Sequence, residues 1–513
     1  MTAQKQRWKQ EYAFFQEADS DEALNRLINE IAEQYMSNEL PWVVGYSGGK
    51  DSTATLQLVW MALQKIGKEK RTKPVYVIST DTLVENPIVS AWVSKSHESM
   101  KERATAEHLN ITPHRLTPKV TDSFWVNLVG KGYPAPRQKF RWCTERLKIN
   151  PSNTFISDVV SQYGEAILVL GIRKAESAAR AKNMEKHEQD DLPNKINPNA
   201  SLSNSYVYSP IEDWSNDDVW YFLLEWENPW GHDNMELFEL YQGATEGGEC
   251  PLVVTTGTPS CGDSRFGCWV CTLVEKDKSM QAMIQNDEDK KWMLPLLSLR
   301  SEIDFRAMSE THGDRALRDY RRMNGSVQIH NGRYIPGPYK QEFRHHMLKR
   351  ILEAEIEVNK HIPSTLGNLR LIQDEELDEI RRIWVMEKHE VEDALPGIYR
   401  EATGEDYVSQ NFSNDFPFST EEMQMLKDLC GDDDILFEMM RNILSIENSH
   451  RTSLKRNGIF KELDKAVERN LYSSEEEAIE EAVKNKQLFD GIGAEDSGHK
   501  EQENGTDAFR LQQ

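Results

Sequence analysis

Six consecutive residues, Ser47-Gly48-Gly49-Lys50-Asp51-Ser52, carry the clearest chemistry in this chain. They follow the short apolar run Trp42 to Tyr46 and precede Leu56, Val59, Trp60 and Leu63, which recur at helical spacing until Gly67. A glycine loop between a buried strand and a helix turns backbone N–H groups toward one point, and the helix N-terminus adds partial positive charge. Such a loop suits phosphate. A Walker A loop would need glycine where Val44 stands and Ser or Thr where Asp51 stands, so that pattern is not met. The missing hydroxyl is the one that holds magnesium for cleavage at the γ-phosphate, so a different phosphate bond is expected to be cut. An ordinary glycine turn opening a helix is the competing explanation.

Two further segments belong at the same edge of a sheet. Thr80-Asp81-Thr82 ends a second apolar, β-branched run beginning at Val75, where a ribose or base would be hydrogen-bonded, with a simple helix cap as the alternative. Gly171-Ile172-Arg173-Lys174-Ala175-Glu176-Ser177 and Arg180 follow a third buried run, Ala166 to Leu170. The guanidiniums of Arg173 and Arg180 suit bidentate capture of phosphate or sulfate, while Glu176 is also placed to pair with Arg180 along a helix.

Of six cysteines, Cys250, Cys261, Cys268 and Cys271 are close in sequence among Gly, Pro and Ser. Thiolates are soft ligands, and four of them suit an iron–sulfur cluster or zinc. Structural zinc usually draws on two close pairs, and only Cys268 and Cys271 form one, so the spacing leans toward iron and sulfur with zinc as the alternative. Buried structural thiols are the third reading. Cys143 precedes the third run and reads as a sulfur relay, a cluster ligand or a buried core cysteine.

The elements that must carry these residues read as α/β: apolar runs alternating with helical intervals predict a parallel sheet with helices on both faces. At 513 residues the chain exceeds one core. The pattern divides it into an N-terminal helical segment at 1–37, the nucleotide domain at 38–240, the cysteine-rich segment at 241–284, a mainly helical region at 285–490 and an acidic disordered tail at 491–513. Residues 183–205, rich in Asn, Asp, Lys and Pro, read as an exposed loop. Hydrophobic residues make up 38% and charged residues 28%, with no apolar run long enough for a bilayer and no secretory pattern at the polar N-terminus, so a cytoplasmic protein is expected. A net charge of -24 argues against free-standing DNA binding. The most basic stretch holds Arg315, Arg318, Arg321, Arg322, Arg333 and Lys340 near Tyr334; it reads as a phosphate contact or, with Asp314 and Asp319 as partners, as a solvated helix face.

Residues 47–52 match in full the Ser-Gly-Gly-x-Asp-Ser signature of the PP-loop ATP pyrophosphatases, which they resemble. That resemblance implies the adenine nucleotide α-hydrolase-like fold (Rossmann-like) and cleavage of ATP, with Mg2+, between its α- and β-phosphates. It also implies that Ser47, Gly48, Gly49 and Ser52 embrace the pyrophosphate, Lys50 neutralises charge, and Asp51 orients the loop or magnesium. The Gly171 to Arg180 segment, Pro210-Ile211-Glu212-Asp213-Trp214 and Asp218-Val219-Trp220 look like the phosphoadenylyl-sulfate (PAPS) reductase branch. The Glu-Cys-Gly-x-x-His ending of true reductases is absent; Cys430 stands before Gly431 but follows Leu429.

The run from Cys261 to Thr272, with Arg141-Trp142-Cys143-Thr144, resembles the DndC family of bacterial DNA phosphorothioation, a likeness spanning residues 40–350. It implies a [4Fe-4S] cluster on Cys250, Cys261, Cys268 and Cys271, and replacement of a non-bridging oxygen of the DNA backbone phosphate by sulfur. Catalysis would fall to Lys50, Asp51, Arg173 and Arg180, with Cys143 as a sulfur relay. Thr80, Asp81, Gly171 and Glu176 would join the loop in binding nucleotide. The implied partners are DndD and DndE in a multiprotein complex and a cysteine desulfurase as sulfur donor. Thiolation of tRNA, reduction of activated sulfate and a non-catalytic nucleotide-sensing scaffold are the rival readings.

Overall fold

A computed structural model describes residues 14–15, 20–176, 196–199, 202–245, 266–307, 313–409, 418, 420–451, 458–472 and 474–495. Its centre is a six-stranded sheet: β1 (Trp42–Gly45), β2 (Val75–Thr80), β3 (Ile111–Leu116), β4 (Ala166–Val169), β5 (Ile196–Pro198) and β6 (Ser205–Tyr208), in the order β3-β2-β1-β4-β6-β5. All neighbours pair in parallel except β5, which is antiparallel to β6 at the edge.

The period-two pleat sorts each strand between two cores. Trp42, Val44, Val75, Val77, Ile167 and Val169 join Leu24, Leu27 and Ile31 of α1 (Ser20–Met36) and Leu56, Val59 and Trp60 of α2 (Lys50–Lys65). Val43, Ile78, Ala166 and Leu168 face the other way, onto Ile156 and Val159 of α4 (Asn150–Tyr163). The third α-helix, α3 (Pro87–Ala106), adds Val89, Trp92, Val93 and Met100 to the first core. Burial on both faces is why these strands are continuous apolar runs rather than alternating ones.

From β1 the chain runs outward through β2 to β3, then returns past β1 to β4. The loops after β1 and β4 therefore part at the point where strand order reverses, the place where open parallel sheets bind ligands. Part of the stretch expected as an exposed loop is instead sheet: Ile196–Pro198 pairs with Tyr206 to Tyr208, because Tyr206 and Tyr208 supply a β-rich partner. Residues 177–195 and 200–201 lie outside the described residues.

The chain separates into two compact units. One comprises Met1–Asn127, Ala135–Ala307 and Arg350–Glu376; the other comprises Leu128–Pro134, Met308–Lys349 and Leu377–Gln513. The first takes in helices α5 (Asn216–Glu225), α6 (Asn234–Gly243), α7 (Lys278–Asn286) and α8 (Leu294–Ile303), so residues just past 285 pack with the sheet-bearing unit rather than apart from it. Arg300 of α8 explains this: it donates to the carbonyls of Cys271 at 3.0 Å and Val274 at 2.6 Å.

The second unit is mainly helical, with a two-stranded hairpin at Ile329–His330 and Arg333–Tyr334. Four arginines of its basic stretch are used internally. Arg318 donates to the carbonyls of Gly337 at 2.8 Å and Pro336 at 2.6 Å, Arg321 pairs with Glu438 at 2.6 Å, Arg322 reaches Pro336 at 2.9 Å, and Arg315 lies over the Tyr334 ring. The last described helix runs from Glu475 to Glu495, beyond the 491 boundary of the expected tail; residues 496–513 lie outside the described residues. No helix among the described residues is long and apolar enough to cross a membrane.

Candidate functional site

The loop after β1 is drawn tight by its own serines. Ser47 and Ser52 hydroxyls lie 3.1 Å apart, Ser52 Oγ accepts from the Ser47 amide at 3.2 Å, and it donates to the Gly49 carbonyl at 3.0 Å. Gly48 turns at φ +75°, and a Cβ there would lie 2.4 Å from Val93 Cγ2, so both conformation and space demand glycine. Gly49 caps α2, and the first helical amide, that of Lys50, donates to the Tyr241 hydroxyl at 3.4 Å.

Asp51 ties this loop to the one after β4. Its Oδ1 accepts from Arg173 Nε at 2.7 Å and its Oδ2 meets Lys50 Nζ at 2.9 Å. Arg173 is only 4% exposed and also donates to the Trp214 carbonyl at 3.3 Å. Rather than opening onto a phosphate, this guanidinium is engaged in orienting Asp51. The approach is close because Gly171 packs on the backbone of Asp51, where an added Cβ would stand 2.7 Å from the carbonyl oxygen. Arg180 lies outside the described residues, as does the side chain of Glu176.

At the end of β2, Thr80 shares a 3.0 Å hydrogen bond with Ser152. Asp81 is committed to its own surroundings: Oδ1 accepts from the Leu83 amide at 2.9 Å, and Oδ2 accepts from Arg115 at 3.0 Å. Its carboxylate thus fixes the turn in which Leu83 takes φ 64°. The next residue, Thr82, brings in the cysteine segment through a 3.3 Å contact between its hydroxyl and Cys268 Sγ. Backbone pairing holds the two together: Glu85 and Cys268 form an antiparallel bridge, the Trp269 amide donates to Val84 at 3.0 Å, and the Asn86 amide donates to Gly267 at 3.3 Å.

Cys143 joins this group. It stands at the start of a π-helical turn, Thr144–Ile149, that carries Lys148. Burial and then the charge of Cys271 raise the Cys143 thiol above its ordinary range. Burial pushes the Cys268 thiol up to about 12, with Glu85 adding to the effect and Lys148 and Thr82 opposing it. Lys148 is pushed above its ordinary range, mainly by Cys268, with help from Glu85, Cys271 and Cys143; its ammonium is 3.7 Å from Glu85. Glu85, Lys148 and Tyr241 were not singled out by sequence patterns; Thr82 was, as part of Thr80-Asp81-Thr82, but for a ribose or base rather than for a thiol. The one available signal was Lys148, a cation five residues after Cys143 and just beyond the Arg-Trp-Cys-Thr run.

Among the described residues no three His, Cys, Asp or Glu side chains converge on one ion-sized point, and Cys250 and Cys261 lie outside them. Cys143, Cys268 and Cys271 influence one another and Lys148 electrostatically, and thiols as a class suit a thiolate-bound cluster. Cys143, Cys268 and Cys271 are the described residues that would hold it.

The phosphate loop, the Asp51–Arg173 pair and the paired cysteine segment all fall within one matched stretch. Residues 41–273 match the phosphoadenosine phosphosulfate reductase domain family. The chain is similar to an uncharacterized protein of Methanocaldococcus jannaschii, 28% identical over 267 residues, 52% of this chain and 42% of that protein. The chain therefore spans less than half the length of that relative. Among solved structures, a phosphoadenylyl-sulfate reductase from Candida auris is similar at TM-score 0.24 and 16% identity, covering 40% of this chain and 87% of the other. An FMN adenylyltransferase from Candida glabrata follows at TM-score 0.26 and 16% identity, covering 47% and 67%.

Proposed function

We propose that this chain is an ATP pyrophosphatase and sulfur-transfer enzyme that activates a DNA backbone phosphate for sulfur incorporation. The observation that carries the reading is shared position: the phosphate loop follows β1, and the thiols are paired to the segment following the neighbouring strand β2. A nucleotide on the loop would have sulfur chemistry beside it.

In this reading a non-bridging phosphate oxygen of DNA attacks the α-phosphorus of ATP, pyrophosphate leaves, and the oxygen becomes part of an AMP leaving group. The outer sulfur of a desulfurase persulfide then attacks the DNA phosphorus, AMP departs with that oxygen, and a thiol reductant cleaves the resulting P–S–S–R bond to leave the thiophosphate and a disulfide. The loop amides and Lys50 bind the departing pyrophosphate, whose charge develops during the first step. Asp51, steadied by Arg173, orients Lys50 or a magnesium ion. Lys148 offsets thiolate charge around Cys143, Cys268 and Cys271. A [4Fe-4S] cluster held there would supply sulfur-handling or electron-transfer chemistry when bound.

The test is ATP-dependent pyrophosphate release by anaerobically purified protein, with its DNA partners and a sulfur donor, read together with thiophosphate formation in DNA. Pyrophosphate release that depends on DNA supports adenylation; ATP binding without release favours a nucleotide-sensing scaffold. The match to the reductase domain family favours one second reading, reduction of an activated sulfate. Sulfite released from phosphoadenylyl sulfate in the presence of a thiol reductant, without ATP turnover, would replace the first reading with that one.

A further inference from the structure

Tyr241 touches both halves of this site. Its hydroxyl accepts from the Lys50 backbone amide at 3.4 Å, its ring lies 5.6 Å from the Lys50 ammonium, and a Cβ on Gly49 would come within 3.1 Å of its hydroxyl. The Lys50 amide is one of the first-turn donors that have no partner inside the helix and that a phosphate would take. A neutral hydroxyl oxygen therefore stands against the loop where a phosphate oxygen binds.

On its other side the same ring meets Phe266 edge-on, with centroids 4.7 Å apart and planes at 84°; Trp220 backs it at 5.1 Å. Phe266 opens the described part of the cysteine segment, and Gly267 and Cys268 after it make the backbone pairs to Asn86 and Glu85. Tyrosine is stiff, with two rotatable side-chain bonds, and it is 8% exposed in this position. A shift at its hydroxyl is passed to the packed ring rather than absorbed.

We propose that Tyr241 is a nucleotide-responsive positioning residue: a phosphate group takes the Lys50 amide from its hydroxyl, and the displaced ring moves Phe266 and with it the backbone carrying Cys268. Resting on the reading of residues 47–52 as an ATP loop, the inference adds a coupling between nucleotide occupancy and thiol position.

The test compares wild type, Tyr241→Phe and Phe266→Leu by calorimetric titration with ATP and magnesium, and by backbone hydrogen exchange over residues 266–272 with and without saturating ATP. Tyr241→Phe removes the competing acceptor and is expected to bind ATP about three- to tenfold more tightly. Wild type is expected to change exchange across 267–271 on binding ATP, and Phe266→Leu to bind with affinity within about twofold of wild type yet show a smaller change. Equal or weaker binding by Tyr241→Phe, or unchanged exchange in ATP-saturated wild type, overturns the coupling while leaving the ATP loop standing. Failure of wild type to bind ATP at all overturns the loop reading itself, and the coupling with it.

Discussion

Replacing Gly171 with alanine puts one methyl group into the seam that joins the two ligand-facing loops. The new Cβ would lie 2.7 Å from the Asp51 carbonyl oxygen, 2.8 Å from its carbonyl carbon and 2.9 Å from Thr55 Oγ1. Ordinary contact needs roughly 3.4 Å or more, so the seam must open by about 0.7 Å. Two of the obstacles are backbone, and Thr55 is itself bonded to the Asp51 carbonyl at 2.9 Å, so the first turn of α2 has to move as a piece. Overpacking of this kind costs about 1–3 kcal/mol, which leaves a domain of ordinary stability folded. The same shift lengthens the 2.7 Å bond from Arg173 to Asp51 and turns the loop amides away from their phosphate. Since a misplacement near 1 Å can cost about a hundredfold in rate, a loss of tenfold or more is expected here. Urea unfolding gives the stability, and pyrophosphate release gives kcat/KM. A variant with both values equal to wild type would refute the claim that contact at Gly171 sets the loop.

Three other expectations follow from the same geometry. Arg173→Lys keeps a positive charge but loses the directed fork shared by Asp51 and the Trp214 carbonyl; pyrophosphate release should fall roughly tenfold or more while the fold persists, checked by steady-state kinetics beside circular dichroism. Burial raises the Glu376 carboxyl to about 7 from an ordinary 4.5, so the folded protein holds a proton there that the unfolded chain gives up. Stability should fall as pH rises between those values, at about 1.4 kcal/mol per unit from this group, and Glu376→Gln should flatten that part of the profile in thermal melts. Cys143→Ser and Cys268→Ser should each lower iron and acid-labile sulfide in anaerobically purified protein, measured per chain; stoichiometric zinc with no iron would remove the cluster from the proposal.

The strands legible in the sequence were those whose burial is two-sided. Trp42 to Tyr46, Val75 to Ser79 and Ala166 to Leu170 read as β1, β2 and β4 to within a residue or so at each end, because each is an unbroken apolar or β-branched run. The strand β3 escaped because Pro113, His114 and Arg115 interrupt its pattern, which an edge position tolerates. The placement of residues 47–52 between a strand and a helix was legible because they and their flanking runs are contiguous. What Arg173 and Asp81 do was not: their partners, Asp51 and Arg115, are fixed by strand order and helix placement. Thr82 and Cys268 are 186 positions apart, and backbone pairing around the Glu85–Cys268 bridge makes them neighbours.

The π-helical turn at Thr144–Ile149 bears on how such a site arises. In an α-helix each residue advances about 100°, so a side chain five positions on is rotated by roughly 140° from the first. The wider turn, bonded from i to i+5, brings Lys148 back toward the side on which Cys143 stands. One residue's worth of extra backbone separates the two arrangements. Deleting one residue between them would restore the tighter winding and leave the lysine four positions after the cysteine, about 40° around an α-helix and so still on the same side. The wide turn therefore accommodates one extra residue while keeping the ammonium on the cysteine's side, and comparisons of such sites have to allow a single-residue gap between the cysteine and the lysine.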